Sequence, residues 1–226
     1  MEVKEKKWNA LSKILFDFYS QKNVDHHFKN DEKYLSTAFE EIEKIWMQNY
    51  NEIATINYVM LSEAPLWGER KNYIYNPTIN NTQFFFRSDL EFCLKEKIKT
   101  KIEFIQKLNS IGFIVLDIFP FPLNDKNTVI NYRTISKKDY KYLLKRTLPI
   151  SMAEKLSLIS KKSSKNIRFF FRYGRVKDAF NNLLGELILG KRLIHSANEV
   201  FDISQRGGGI NKNKLNVILN NEIMEN

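Results

Sequence analysis

Three short apolar runs, spaced by helical segments, set the strongest limit on what this chain can become. They are Tyr58-Val59-Met60-Leu61, Phe113-Ile114-Val115-Leu116-Asp117-Ile118 and Ile167-Arg168-Phe169-Phe170-Phe171. None alternates apolar with polar residues over its whole length. A near-continuous apolar run is what a strand needs when helices cover both faces of its sheet. The segments between the runs carry helical periodicity, so strands and helices alternate, the signature of a parallel sheet between helical layers. The expected fold is therefore α/β, a three-layer α/β/α sandwich around a mostly parallel four-stranded sheet. Leu193-Ile194 is taken as the short fourth strand, running into His195-Ser196.

The rest of the chain fits around these runs. Trp8, Leu11, Leu15 and Phe18 recur every three or four residues, with Ile14 alongside, and predict an amphipathic helix over 5–21. Ser36 or Thr37, with Glu40, can open a second helix to about Tyr50. Ser88-Asp89 can start a helix running to Asn109, with Gly112 after it. A basic helical stretch covers 136–160, with a break expected at Pro149, and further helices are expected over 175–188 and 211–220. No repeat or linker interrupts this pattern, and 226 residues suit one domain. It divides into a helical N-terminal part, 1–50, and an α/β core, 55–220.

Composition narrows the function classes. Thirty-six Lys and Arg face 26 Asp and Glu, a net charge of +10, which suits a polyanionic partner and equally suits a Lys- and Asn-rich composition without one. Cys93 is the single cysteine, so an intrachain disulfide scaffold or multi-thiolate metal site is excluded. His26-His27 lies in a polar connector, and no metal or organic cofactor is expected. No run reaches the roughly 20 apolar residues of a membrane span, and the N-terminus lacks the apolar core of a signal peptide. A soluble, cytoplasmic protein is expected.

Each strand is followed by unusual chemistry: Glu63-Ala64-Pro65 after the first, Asp117 with Pro120 and Pro122 after the second, Tyr173-Gly174 after the third, His195-Ser196 after the fourth. Strand ends of a parallel sheet share one edge, where ligands of open α/β sheets bind. These distant residues are thus expected to converge. Each also has a plain structural reading: Glu63 as a loop cap, Asp117 as a turn acceptor, His195 as a packed strand-end residue.

In order and spacing, these segments resemble the uracil-DNA glycosylase superfamily. LSEAPLWGE resembles its Gly-Glu-Ala-Pro-Gly motif, VLDIFPFPLN its base-reading strand, and LIHSANEVFDISQRGGGINKNKLNVIL its His-Pro-Ser loop, Arg-Gly turn and last helix. The likeness extends over about 58–220. Ser62 and Leu66 replace the motif's glycines, Asp117 stands where the uracil-reading Asn would be, and Ser196 stands where Pro follows the His. The resemblance implies a monofunctional glycosylase acting on a flipped base in DNA, in DNA repair. It makes Glu63 the carboxylate that orients water and supports the cation-like sugar, and His195 the donor to the leaving base. Asp117, Tyr73, Tyr75 and Phe119 would bind the base, with Phe84 to Phe86 as alternates for stacking. Ser196, Asn198, Arg206 and Lys212 would contact DNA. An ionised Asp117 only accepts hydrogen bonds, which suits an amino-bearing base better than uracil. A non-catalytic relative that binds nucleic acid or a protein through the same face, and a hydrolase of a small substrate, remain the rivals.

Overall fold

A computed structural model describes residues 2–79, 85–179, 184–196, 199–205 and 209–220, with side chains from residue 5 onward. Two long helices come first, α1 (Glu2–Gln21) and α2 (Phe28–Glu52), joined by a 3-10 turn at Asp25–His27. The α1 stripe is as expected: Leu11, Leu15 and Phe18 are buried and Trp8 packs on Phe39 and Phe121. Helix α2 starts eight residues before the expected Ser36. Its first turns bury Phe28 and Asp31, and Asp31 accepts hydrogen bonds from the Tyr19 hydroxyl at 2.6 Å and the Val129 N–H at 2.7 Å. A buried acid so paired holds the extra turns on the core.

The core sheet follows. Strands β1 (Ile56–Ser62), β2 (Phe113–Asp117), β3 (Ser163–Phe171) and β4 (Val200–Asp202) run in parallel in the order β2-β1-β3-β4. Helices α3 (Arg87–Leu94) and α4 (Lys101–Ser110) link β1 to β2, and α5 (Lys137–Lys162) links β2 to β3. Helices α6 (Gly174–Ala179) and α7 (Gly185–Gly190) precede β4, and α8 (Lys212–Leu219) closes the chain. This is the expected three-layer arrangement, and β1 and β2 are buried along nearly their whole length.

Four local expectations need correction. The segment expected to be one helix over 90–109 is two, because Lys95 adopts a left-handed conformation and Thr100 caps a new helix through the Glu103 N–H. Pro149 does not break α5; it lies on the exposed face while Leu148, Met152, Leu156 and Ile159 stay buried on the other. The helical stretch expected to end at 160 runs on to Lys162 and passes directly into β3 at Ser163. The fourth strand is Val200–Asp202, not Leu193-Ile194, which are buried in the turn after α7. His195 and Ser196 therefore precede β4 instead of following it.

Gly112 is the tight point between α4 and β2. Its φ is +73°, and a Cβ there would meet the Thr55 carbonyl oxygen at 2.2 Å. Only glycine combines that left-handed backbone with so close an approach.

Candidate functional site

The sheet register places the strand ends side by side. Ser62 is level with Asp117 and Leu61 with Phe171, so Glu63, Asp117 and Arg172 emerge on one edge. The ladder continues just past the strands. The Ile118 N–H donates to the Ser62 carbonyl at 2.9 Å and the Phe119 N–H to the Glu63 carbonyl at 3.0 Å. These bonds fix the backbone of Glu63 before its loop turns away at Pro65.

A cavity of about 320 Å3 opens over these ends. Glu63, Asp117 and Arg172 contribute its charged groups, and Trp67, Tyr73, Phe85, Tyr132 and Tyr173 contribute aromatic surface. The Asn124 side chain also reaches it. That amide is held by donating to the Tyr34 hydroxyl at 2.8 Å and accepting from the backbone N–H groups of Lys126 and Asn127. The proline-bounded loop after β2 is thereby pinned to α2.

Asp117 is half-buried in the floor. Burial pushes its carboxyl from an ordinary 3.8 up to about 6, while Lys155 and the hydroxyls of Ser62 and Tyr73 pull the other way. Tyr73 is buried beside it, and its hydroxyl makes no well-formed hydrogen bond. Burial, and then the charge of Asp117, raises the Tyr73 phenol well above its ordinary range. Behind the floor sits a buried ion cluster. Glu43 of α2 bonds Lys155 of α5, and also Lys7 of α1 at 2.8 Å. Burial alone would push the Glu43 carboxyl up; the two ammonium groups outweigh it and hold the acid below its ordinary value. Lys155 also lies over the Trp46 ring, 4.9 Å from its centroid. The indole is fixed in turn by donating to the Val115 carbonyl of β2 at 2.9 Å.

Glu63 lies at the rim, where it accepts from Arg175 at 3.0 Å. Arg172 is the residue that strand-end reasoning missed. Its guanidinium stacks on Phe85 and Tyr173, 3.7 and 4.3 Å from their centroids, and has no hydrogen bond or ion pair among the described residues. Burial lowers its pKa. Asp89 acts on it electrostatically without an ion-pair contact, so a cation held by two rings keeps capacity to receive charge from a ligand. The only sequence cue was its place directly after an apolar run.

The other expected residues divide. Tyr73 joins Glu63 and Asp117 at the cavity, and so does Phe85 among the alternates. Tyr75 lies in the core: its hydroxyl donates to the Phe113 carbonyl at 3.3 Å and accepts from the Val115 N–H at 2.8 Å, satisfying the outer edge of β2. Phe119 is fully buried among Phe121, Tyr132 and Tyr140, and Phe86 packs on Phe104 and Phe113. His195 is exposed and is not part of the cavity lining; the backbone N–H groups of His195 and Ser196 donate to the Glu199 carboxylate. Lys212, at the start of α8, faces Asp89 at 3.8 Å. Asn198, Arg206 and Phe84 lie outside the described residues. The true end of the fourth strand carries Asp202, paired with Lys177 at 3.2 Å and with Ser204.

Among the described residues no cluster of His, Cys, Asp or Glu could hold a metal ion, and no helix is long and apolar enough to cross a membrane. Comparisons with protein-family models, with curated proteins and with solved structures find no match for this chain.

Proposed function

We propose that this chain is a glycosylase-like hydrolase that takes a flipped, amino-bearing base into the strand-end cavity and cleaves its N-glycosidic bond. The observation that supports this reading best is the placement of two carboxylates, Glu63 and Asp117, on neighbouring strand ends of one aromatic-walled cavity. At about 320 Å3 the cavity is near the lower end of small-ligand sites, which run from roughly 300 to 1,000 Å3, a size suited to a base and little more.

The roles follow from position and chemistry. Asp117 in the floor accepts from the amino edge of the base. Tyr73 and Phe85 contribute aromatic wall beside it. Glu63 at the rim orients the attacking water and supports the cation-like sugar as the bond to the base breaks. The leaving base carries the electron pair of that bond, and Arg172 takes the place the sequence assigned to His195 in stabilising it. The water adds its oxygen to the anomeric carbon, and its proton passes to Glu63 and then to solvent or the released base. A nucleic-acid substrate is in keeping with the net charge of +10 and with a location inside the cell.

The test is incubation with single- and double-stranded oligonucleotides carrying cytosine, mismatched bases, hypoxanthine or uracil, followed by alkaline scission at base-free sites. Wild type releases an amino-bearing base in preference to uracil. Glu63→Gln loses at least about 100-fold of that rate while still binding the strand. Absence of scission on every substrate refutes the reading. One observation favours a second: the Glu63–Arg175 pair occupies the carboxylate needed for catalysis. If strand binding persists without scission, the chain is a nucleic-acid-binding protein on the same frame.

A further inference from the structure

A second concavity begins where the first ends. It has a volume of about 620 Å3 and lies between the first turns of α5 and helix α6. Arg175, which pairs with Glu63 at the rim of the base cavity, also lines this groove, so the two spaces meet at one side chain. Lys137, Lys141 and Lys145 form the α5 wall. They are four residues apart, so they recur about every 6 Å along one face of the helix. All three are exposed, and none makes an ion pair or side-chain hydrogen bond among the described residues. Asp178 is the single carboxylate on the lining. The floor between the walls is apolar, made by Ile135, Tyr140, Leu144 and Ala179.

We infer that this groove holds a single strand of nucleic acid, with its phosphates along Lys137, Lys141 and Lys145 and its bases or sugars against the apolar floor. The row of unpaired ammonium groups supplies the charge complement of a phosphodiester chain. The two-walled shape fits one strand; a duplex, several times wider than a single backbone, rests on a surface and does not enter between two helices. The apolar floor separates this occupant from a simple polyanion, which would leave it uncovered. Continuity at Arg175 gives the direction: a strand in the groove delivers its next nucleotide to Glu63. That last step rests on the proposed glycosylase reading; the binding itself does not.

The test is fluorescence anisotropy with a labelled 12-mer single strand, the matching duplex, and a polyglutamate of equal charge, each from 50 to 200 mM salt. The variant is Lys137→Gln/Lys141→Gln/Lys145→Gln in the full chain; glutamine keeps helix propensity and the positions are exposed, so the fold is retained. Each lost phosphate contact to a single strand removes about 0.7 from the slope of log affinity against log salt. The triple variant is expected to lose about 2 from that slope and about 100-fold in affinity near 0.1 M salt. An unchanged slope in the triple variant overturns the inference even if base release is observed. Equal lysine dependence with the duplex, or with polyglutamate, overturns the single-strand assignment. Lysine-dependent single-strand binding without base release leaves the groove standing and removes the glycosylase reading instead.

Discussion

Replacing Asp117 by Asn measures what the floor of the cavity costs the fold. In the folded chain the carboxyl titrates at about 6, against 3.8 ordinarily. Between those values the folded state binds more protons than the unfolded one, so wild-type stability falls as pH rises through that window. The difference corresponds to at most about 3 kcal/mol once the group is ionised in both states. Asp117 opens partly to the cavity, and solvent there reduces the effect to about 2 kcal/mol. Asparagine keeps the shape and has no charge to desolvate. Asp117→Asn is therefore expected to exceed wild type by less than ~1 kcal/mol near pH 4 and by about 2 kcal/mol at pH 8. In a chain of this size that is a rise of roughly 4–8 °C in Tm at pH 8. Paired thermal melts across pH 4 to 8 read it directly. A gap that is constant with pH, or that widens toward acid, refutes the argument that Asp117 is a desolvated carboxyl kept at the expense of stability.

Two further substitutions probe the frame. Lys155→Met leaves Glu43 buried with only Lys7 and is expected to lower urea-unfolding stability by about 3–5 kcal/mol. It also removes the charge that restrains Asp117, so the acid-to-neutral loss of stability should steepen in the same melts. Gly112→Ala drives a methyl into the Thr55 carbonyl and strains a left-handed backbone, and should cost about 2 kcal/mol or more by equilibrium unfolding. If the alanine variant is as stable as wild type, the α4–β2 connection is not as tight as its geometry implies.

How far the sequence led is clearest strand by strand. β1, β2 and the end of β3 were legible because burial on both faces leaves apolar runs with no helical alternative. β4 was not. Three residues, Val200–Asp202, are enough to pair with Phe169–Phe171 at the sheet edge but too few to show a period. The more apolar Leu193-Ile194 drew the assignment instead, and His195 moved with it from the carboxyl side of the last strand to its approach. Glu63 and Asp117 could be located because strand ends are defined by the strands before them. The partners of these two acids could not. Arg175 lies 112 positions from Glu63, and Lys155 acts on Asp117 from the middle of helix α5, far along the chain. Tyr75 illustrates the converse: an aromatic in the right loop is consumed by the unmet hydrogen bonds of an edge strand.

Pro149 gives α5 a mechanical property that its sequence of turns conceals. Proline has no N–H, so the carbonyl of Lys145 lacks its donor four residues on, at the far end of the lysine row. The hydrogen-bond ladder is thus interrupted between two stretches with different surroundings. On one side are Lys137 to Lys145 along the open groove; on the other is Lys155 in the buried cluster. At the distal end, Lys162 donates to the Tyr50 and Ile53 carbonyls at 2.8 and 2.7 Å, anchoring that half to α2 and the approach to β1. Opening of the first turns then need not propagate past residue 149, and the free energy of local unfolding should step up across it.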